Sequence, residues 1–281
     1  MEPALSPFLL TLSCPDRKGI VAAVANFLAG HDASIVDSSQ FNDAPADQFY
    51  MRVDSVSESG LTLEQVAAAF EPIARTFHMQ WSLYDKRAKP KLLIAVSKFG
   101  HCLYDLIHRW RSGLLPVEIV GVISNHDDMR AFVEWSGIPF YRLPDGKAAQ
   151  EHILLEMAAK ADLVVLARYM QILSAETCAA LAGRCINIHH SFLPSFKGAK
   201  PYQQAFARGV KIIGATAHYV TPNLDEGPII EQDVQRVHHG HTVDNLVAFG
   251  RDVECRVLAR AVTWHIQRRV MIAGDKTIVF A

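Results

Sequence analysis

Residues 92–97, 117–124 and 162–167 are near-continuous apolar runs, the pattern of parallel strands covered on both faces. Helical periods lie between them near 101–112, 128–136 and 147–160, with a short extended piece from Pro139 to Leu143. Strands alternating with helices in this way predict an open, mostly parallel α/β sheet. In such sheets ligands bind beyond the carboxyl ends of the strands, so the residues directly after each apolar run are the ones to search for chemistry. Further on, Leu246, Gly250, Val253, Val257, Ala261 and Trp264 fall on one stripe and predict a single long helix with that face inward.

The first 85 residues follow a different plan. Phe8 to Cys14 reads as a strand, and Asp16 after Pro15 is placed to cap a helix in which Ile20, Val21, Val24, Phe27 and Leu28 share one apolar face. Extended stretches at 33–41 and 48–56 flank the turn-rich Asn42-Asp43-Ala44-Pro45. Thr62-Leu63-Glu64-Gln65 is a capping box opening a helix with Leu63, Val66, Phe70, Ile73 and Phe77 inward, and 78–84 closes the unit as a strand. The order βαββαβ is the ferredoxin-like arrangement. Residues 86–91 sit in a charged stretch with a proline and no apolar period, which predicts a linker. The expected organisation is a ferredoxin-like domain over 1–85, the linker 86–91, and an α/β domain over 92–281. A chain of 281 residues accommodates two domains of ordinary size, at roughly 100 to 200 residues each.

Charge narrows the partners. Lys and Arg total 28 against 29 Asp and Glu, a net charge of -1, so no basic patch for nucleic acid or polybasic membrane attachment shows in the composition. A small or anionic metabolite fits better. The longest apolar runs are far shorter than the roughly 20 residues of a membrane span. Met1-Glu2-Pro3-Ala4 lacks the basic start of a signal peptide, and a cytoplasmic location is expected. The five cysteines are odd in number and scattered without a C-x-x-C pair, which argues against a disulfide framework or a cysteine-based zinc site.

Neither G-x-G-x-x-G, G-x-x-x-x-G-K-[ST] nor G-x-S-x-G occurs, so the common dinucleotide, P-loop and serine-hydrolase patterns are missing. The chemistry-bearing residues concentrate in 185–232. Asn187 and His189, two apart on a strand, point the same way at its carboxyl end. An amide donor beside an imidazole suits a reaction in which a carbonyl oxygen gains charge. Asp225, before Gly227-Pro228, can supply a carboxylate to orient the imidazole or a water. The residues alone leave a plainer reading open, in which Asn187 and His189 satisfy a strand end and Asp225 caps a turn. Metal chemistry is a further alternative, through His238, His239 and His241 with Asp233, or His189 and His190 with His218 and Asp225. Adjacent histidines on a strand face opposite ways, and His238 to His241 reads as solvated surface. No metal is expected.

Asn187-Ile188-His189, Ser191-Phe192-Leu193-Pro194, Lys197-Gly198 and Leu224-Asp225-x-Gly227-Pro228-Ile229-Ile230 resemble the folate-dependent formyltransferase family in order and spacing. The doubled His189-His190, the stretch Leu166 to Leu173 and the N-terminal Cys14-Pro15-Asp16-Arg17 module resemble the branch of that family that hydrolyses 10-formyltetrahydrofolate. The likeness runs from about residue 8 to residue 280. It implies that Asn187, His189 and Asp225 form the catalytic set and that the folate is the substrate, with no further cofactor. It implies that Met170, Gln171, Ile172 and Leu173 grip the pterin, with His218, Thr221 and the segment to Asp225 as the other wall. For Met170, Ile172 and Leu173 ordinary core packing is the plainer alternative.

The same resemblance makes the N-terminal unit an ACT-like regulatory or oligomerisation domain. An amino-acid effector is then expected at Asp16, Arg17 and Gly19, with assembly as a homodimer or homotetramer and a role in one-carbon and purine metabolism. Three departures from the family pattern bear on the pocket rim: Tyr141 where a histidine is usual, Gln203 in place of a frequent histidine, and Pro222 where an acidic or amide residue is common. Two other functions use the same residues differently. Formyl transfer to an amine would need only a different acceptor, although the turn Val96 to Cys102 carries one glycine and the bulky Phe99, a poor phosphate cradle. A non-catalytic folate or amino-acid sensor would have no need of Asn187, His189 and Asp225 together.

Overall fold

The computed structural model describes residues 6–58, 60–193 and 201–281. Pro194, Lys197 and Gly198 of the motifs above lie outside the described residues. The chain divides into two compact units, one running to Lys89 and joined by Arg268–Met271 and Ile278–Ala281, the other comprising Pro90–Gln267 and Ile272–Thr277. The segments Arg268–Met271 and Ile278–Ala281 thus group with the first unit rather than with the second, where the linker-based division had placed them.

The first unit is β1 (Ser6–Pro15), α1 (Ile20–Ala29), β2 (Ala33–Asp43), β3 (Gln48–Ser57), α2 (Leu63–Phe77) and β4 (Gln80–Asp85). Its sheet has the order β2-β3-β1-β4 with every pairing antiparallel, which is the ferredoxin-like plan. Leu10, Leu12, Val24, Met51, Val53 and Phe70 form its core. The Thr62–Gln65 capping box is present. Asp16 does not cap α1. That position is held by Gly19 at φ 97° with no side-chain cap, while Asp16 accepts a hydrogen bond from Asn42 Nδ2. Val21 is exposed, so the inward face of α1 is Ile20, Val24, Phe27 and Leu28.

The second unit runs β5 (Lys91–Val96), α3 (His101–Arg111), β6 (Glu118–Ser124), α4 (Arg130–Trp135), β7 (Phe140–Arg142), α5 (Lys147–Ala158), β8 (Leu163–Leu166), α6 (Ala175–Ala180), β9 (Cys185–His189), α7 (Pro201–Arg208), β10 (Ile212–Tyr219), β11 (Ile229–Arg236) and α8 (Val243–Ile266). The strand order is β11-β10-β9-β8-β5-β6-β7. The five strands from β9 to β7 are mutually parallel, and β10 and β11 continue the sheet antiparallel. Leu92 to Val96 and Leu163 to Val165 are fully buried, as their unbroken apolar sequence requires. β12 (Val270–Ala273) and β13 (Lys276–Val279) form a separate two-stranded ribbon.

Two details of this unit depart from the sequence pattern. The short helix α6, capped by the Ser174 side chain on Thr177 N–H, was not foreseen. On α8 the inward stripe takes in Glu254 at 1% exposure, whereas Trp264 at its far end is only partly covered.

Candidate active site

Segments following β5, β8 and β9, together with β10 and α8, enclose a cavity of about 620 Å³ within the second unit, the size of an ordinary small-molecule site. Asn187, His189 and Asp225 all line it, as do Met170, Gln171, Ile172, Leu173, His218 and Thr221. Met170 and Ile172 are more than half exposed, which removes the core-packing alternative for them. Gln203 and Pro222 also line the cavity. Tyr141 does not: its ring lies over Gly121, where a Cβ would approach Tyr141 Cε2 to 2.7 Å.

Strand register sets the arrangement. Asn187 lies directly opposite His218 on β10, and His189 opposite Thr216. His218 Nδ1 donates to Tyr219 O at 2.9 Å, leaving Nε2 to accept from Asn187 Nδ2 at 3.2 Å. That bond fixes which way the amide faces. Thr216, fully buried, takes bonds from Leu193 N–H and Gln232 Nε2 and donates to Ser191 O, which anchors the chain just after the strand.

Asp225 arrives on a loop from the end of β10. Its backbone is left-handed at φ 57°, a conformation aspartate tolerates better than most residues. The loop returns so closely that a Cβ on Gly227 would sit 1.7 Å from Tyr219 O, a place only glycine can fill. Asp225 Oδ2 is thereby brought 3.2 Å from His189 Nδ1, and Oδ1 lies 3.7 Å from His218 Nε2. Burial by itself pushes the Asp225 carboxyl up, but the adjoining imidazoles of His189 and His218 outweigh it and hold the group well below the usual carboxylate range. It is an anion at every working pH. At the other end of the His189 ring, Nε2 is buried and has no partner among the described residues, an arrangement that protein interiors tolerate at functional positions.

Sequence reasoning missed the opposite wall. Glu254 is almost never the kind of residue found at 1% exposure unless paired, and here it is paired. His101 Nε2 lies 2.8 Å from Oε2, Tyr202 O–H donates to Oε1 at 2.7 Å, and Arg168 Nε lies 3.4 Å from Oε2. Burial raises the Glu254 carboxyl, but His101, Arg168 and Tyr202 together bring it below its ordinary value. Gly250, one turn earlier, makes room: a Cβ there would lie 2.0 Å from the Tyr202 hydroxyl oxygen. The sequence signal was a carboxylate adjoining the apolar stripe of α8. His101, Cys102 and Glu254 are close enough together to suggest a metal. However, both Glu254 oxygens are already bonded, Oε1 by Tyr202 and Oε2 by His101, and a bond to Cys255 and burial push the Cys102 thiol up. His238 and His239 are exposed as expected.

His190 also departs from expectation. β9 ends at His189, so strand alternation no longer governs the next residue. Its ring lies 5.2 Å from that of His189, and both line the cavity. Burial and then the Arg168 charge push the His190 imidazole down to about 4, so it is neutral near pH 7.

The formyl transferase family model matches residues 90–262. The chain is 51% identical to the formyltetrahydrofolate deformylase of Corynebacterium sp. (strain P-1), over 96% of this chain and 97% of that protein. It is 47% identical to the formyltetrahydrofolate deformylase of Bacillus subtilis (strain 168), over 96% of this chain and 93% of that protein. A crystal structure of a formyltetrahydrofolate deformylase from Pseudomonas syringae pv. tomato is similar with a TM-score of 0.95 at 48% identity, covering 98% of this chain and 94% of that one.

Proposed function

Because this chain belongs to the formyl transferase family, among its formyltetrahydrofolate deformylases, we infer that it hydrolyses 10-formyltetrahydrofolate to formate and tetrahydrofolate, with Asn187, His189 and Asp225 as the catalytic set. The observation that carries the residue assignment is the His189 ring itself, held at Nδ1 by an ionised Asp225 and presenting an Nε2 that has no partner among the described residues.

Water adds to the formyl carbon and puts negative charge on the formyl oxygen. His189, held at Nδ1 by Asp225, donates from Nε2 to that oxygen, and Asn187 donates from the amide that His218 has oriented. Both donors are fixed before the reaction, so no reorganisation is needed as the charge develops. The leaving nitrogen is an arylamine, easier to expel than an alkylamine. Met170 to Leu173 on one side and Thr221 to Asp225 on the other hold the pterin, and the exposed apolar side chains of Met170, Ile172 and Leu224 suit its flat faces. His218, expected as a wall of the folate site, lines the cavity and in addition holds Asn187.

Water rather than an amine is the acceptor. The turn after β5 that would cradle an acceptor's phosphate is occupied by Phe99, with the Arg168 and Arg251 guanidinium carbons 5.9 and 5.8 Å from its ring centre. The test is release of formate by purified protein with no amine present.

The βαββαβ unit is, in this reading, an ACT-like domain. Arg17 and Gly19 are exposed at the start of α1 and, with Asp16, would meet an amino-acid effector there, and the enzyme would assemble as a dimer or tetramer. Calorimetry against the common amino acids checks the effector, and no heat from any of them would remove it.

A further inference from the structure

We propose that His190 is the base that takes the proton from the hydrolytic water, a proposal that rests on the hydrolytic reading above. An amine attacks a formyl carbon with its own lone pair, but water has to lose a proton as it adds. Neither carboxylate nor imidazole of the catalytic set is free to take it. Asp225 has Oδ2 on His189 and Oδ1 facing His218, and the same contacts that keep it ionised make it a very weak base. His189 commits Nδ1 to Asp225 and must carry a proton on Nε2 to serve the oxyanion. A second acceptor is required within reach of the same carbon.

His190 lines the same cavity as His189 and Asn187. The chain leaves the strand at His189, which turns the His190 ring onto the side of its neighbour, 5.2 Å away, and into the cavity. No described group hydrogen-bonds to its ring nitrogens. The groups around it set its state: burial and Arg168 lower its proton affinity, with a smaller push from His189, while Glu254 and Asp225 act the other way. The ring is therefore neutral when substrate binds and offers a lone pair. Arg168 is a positioning residue in this scheme, fixed by Glu254, which is in turn held by His101 and Tyr202.

The step balances without any further reactant. A ring nitrogen of His190 takes one proton from water as the oxygen bonds to the formyl carbon, and the carbonyl electron pair moves onto the formyl oxygen. When the C–N10 bond breaks, the His190 imidazolium gives that proton to N10. An arylamine is a weak base, and an imidazolium made acidic by burial and by Arg168 is a suitable donor to it. Formic acid then loses its own proton to solvent.

The test compares two nucleophiles on the full-length protein. Hydroxylamine is nucleophilic without base assistance, and its attack gives an N-protonated adduct that itself supplies the proton N10 needs to leave; it yields formohydroxamate, whereas water yields formate. In His190→Ala, formate release from 10-formyltetrahydrofolate should fall by roughly 10²- to 10⁴-fold, the usual range for a lost general base, while formohydroxamate formation falls less than about tenfold. The retained hydroxylamine reaction also reports that the variant is folded. Asn187→Ala should slow both reactions together. Equal losses with water and hydroxylamine in His190→Ala, or formate release within a few-fold of wild type, would overturn the proposal. A wild-type protein that releases no formate without an amine would overturn the hydrolytic reading itself, and this proposal with it.

Discussion

His189 Nδ1 lies 3.2 Å from Asp225 Oδ2, while Nε2 of the same ring is buried without a partner among the described residues. One nitrogen is thus anchored and the other left free for chemistry. Asp225→Asn keeps the shape but removes the carboxylate charge that faces His189 Nδ1. Turnover is expected to fall by at least about 10²- to 10³-fold, the cost of losing an oxyanion donor, as is that of His189→Ala. Formate release and a thermal melt measured side by side separate this loss from unfolding, and near-normal hydrolysis by both variants would remove the catalytic assignment.

The loop that brings Asp225 to His189 depends on Gly227. A Cβ there meets a backbone oxygen at 1.7 Å, which no rotamer change relieves. In Gly227→Ala the loop is expected to shift by an ångström or more, and misplacement of that size can cost about 10²-fold in rate. A crystal structure of the variant with the His189–Asp225 distance unchanged, together with full activity, would show that the close return is incidental.

Glu254 should matter to stability as well as to the site. Glu254→Gln leaves Arg168 buried without its counter-charge, and breaking a buried ion pair in this way costs roughly 3 to 5 kcal/mol. Tyr202→Phe removes one hydrogen bond to a charged group and should cost only about 1.5 to 3 kcal/mol. Urea unfolding of the three proteins gives the order wild type, Tyr202→Phe, Glu254→Gln. The reverse order for the two variants would mean that the Arg168–Glu254 contact is not a true ion pair.

Much of this was legible in the sequence, and the failures share a cause. Unbroken apolar runs marked β5, β6 and β8 because burial on both faces leaves no room for polar side chains. The capping box of α2 and the Asn187, His189 and Asp225 motifs were legible because each is local. Glu254 was not. Its partners come from α3, the segment after β8, and α7, a meeting that exists only in the folded chain. Asp16 was misread for a related reason: Gly19 begins the helix with a left-handed backbone, leaving the carboxylate to Asn42 across the turn. His190 escaped because alternation was carried one residue past the strand end.

Two pH dependences follow. The Asp225 carboxyl is depressed in the folded protein, so its contribution to stability is fully present above its unfolded value of about 3.9 and is lost as pH falls through the folded one. The stability difference between wild type and Asp225→Asn should therefore shrink below about pH 4. His190, pushed down to about 4 by burial and Arg168, must be neutral to act. Removing the positive charge in Arg168→Gln raises its pKa, so the acid limb of turnover should move up toward the ordinary histidine value of about 6.5. An acid limb in Arg168→Gln that coincides with the wild type would contradict the coupling.

The central claim is that this protein hydrolyses a formyl group from folate with water as the acceptor. It is tested most directly by incubating the purified full-length protein with 10-formyltetrahydrofolate in an amine-free buffer and measuring formate and tetrahydrofolate together. The structure predicts equal amounts of the two products, formed catalytically and abolished in His189→Ala. No formate without an added amine, or a formylated amine as the principal product when one is supplied, would contradict it.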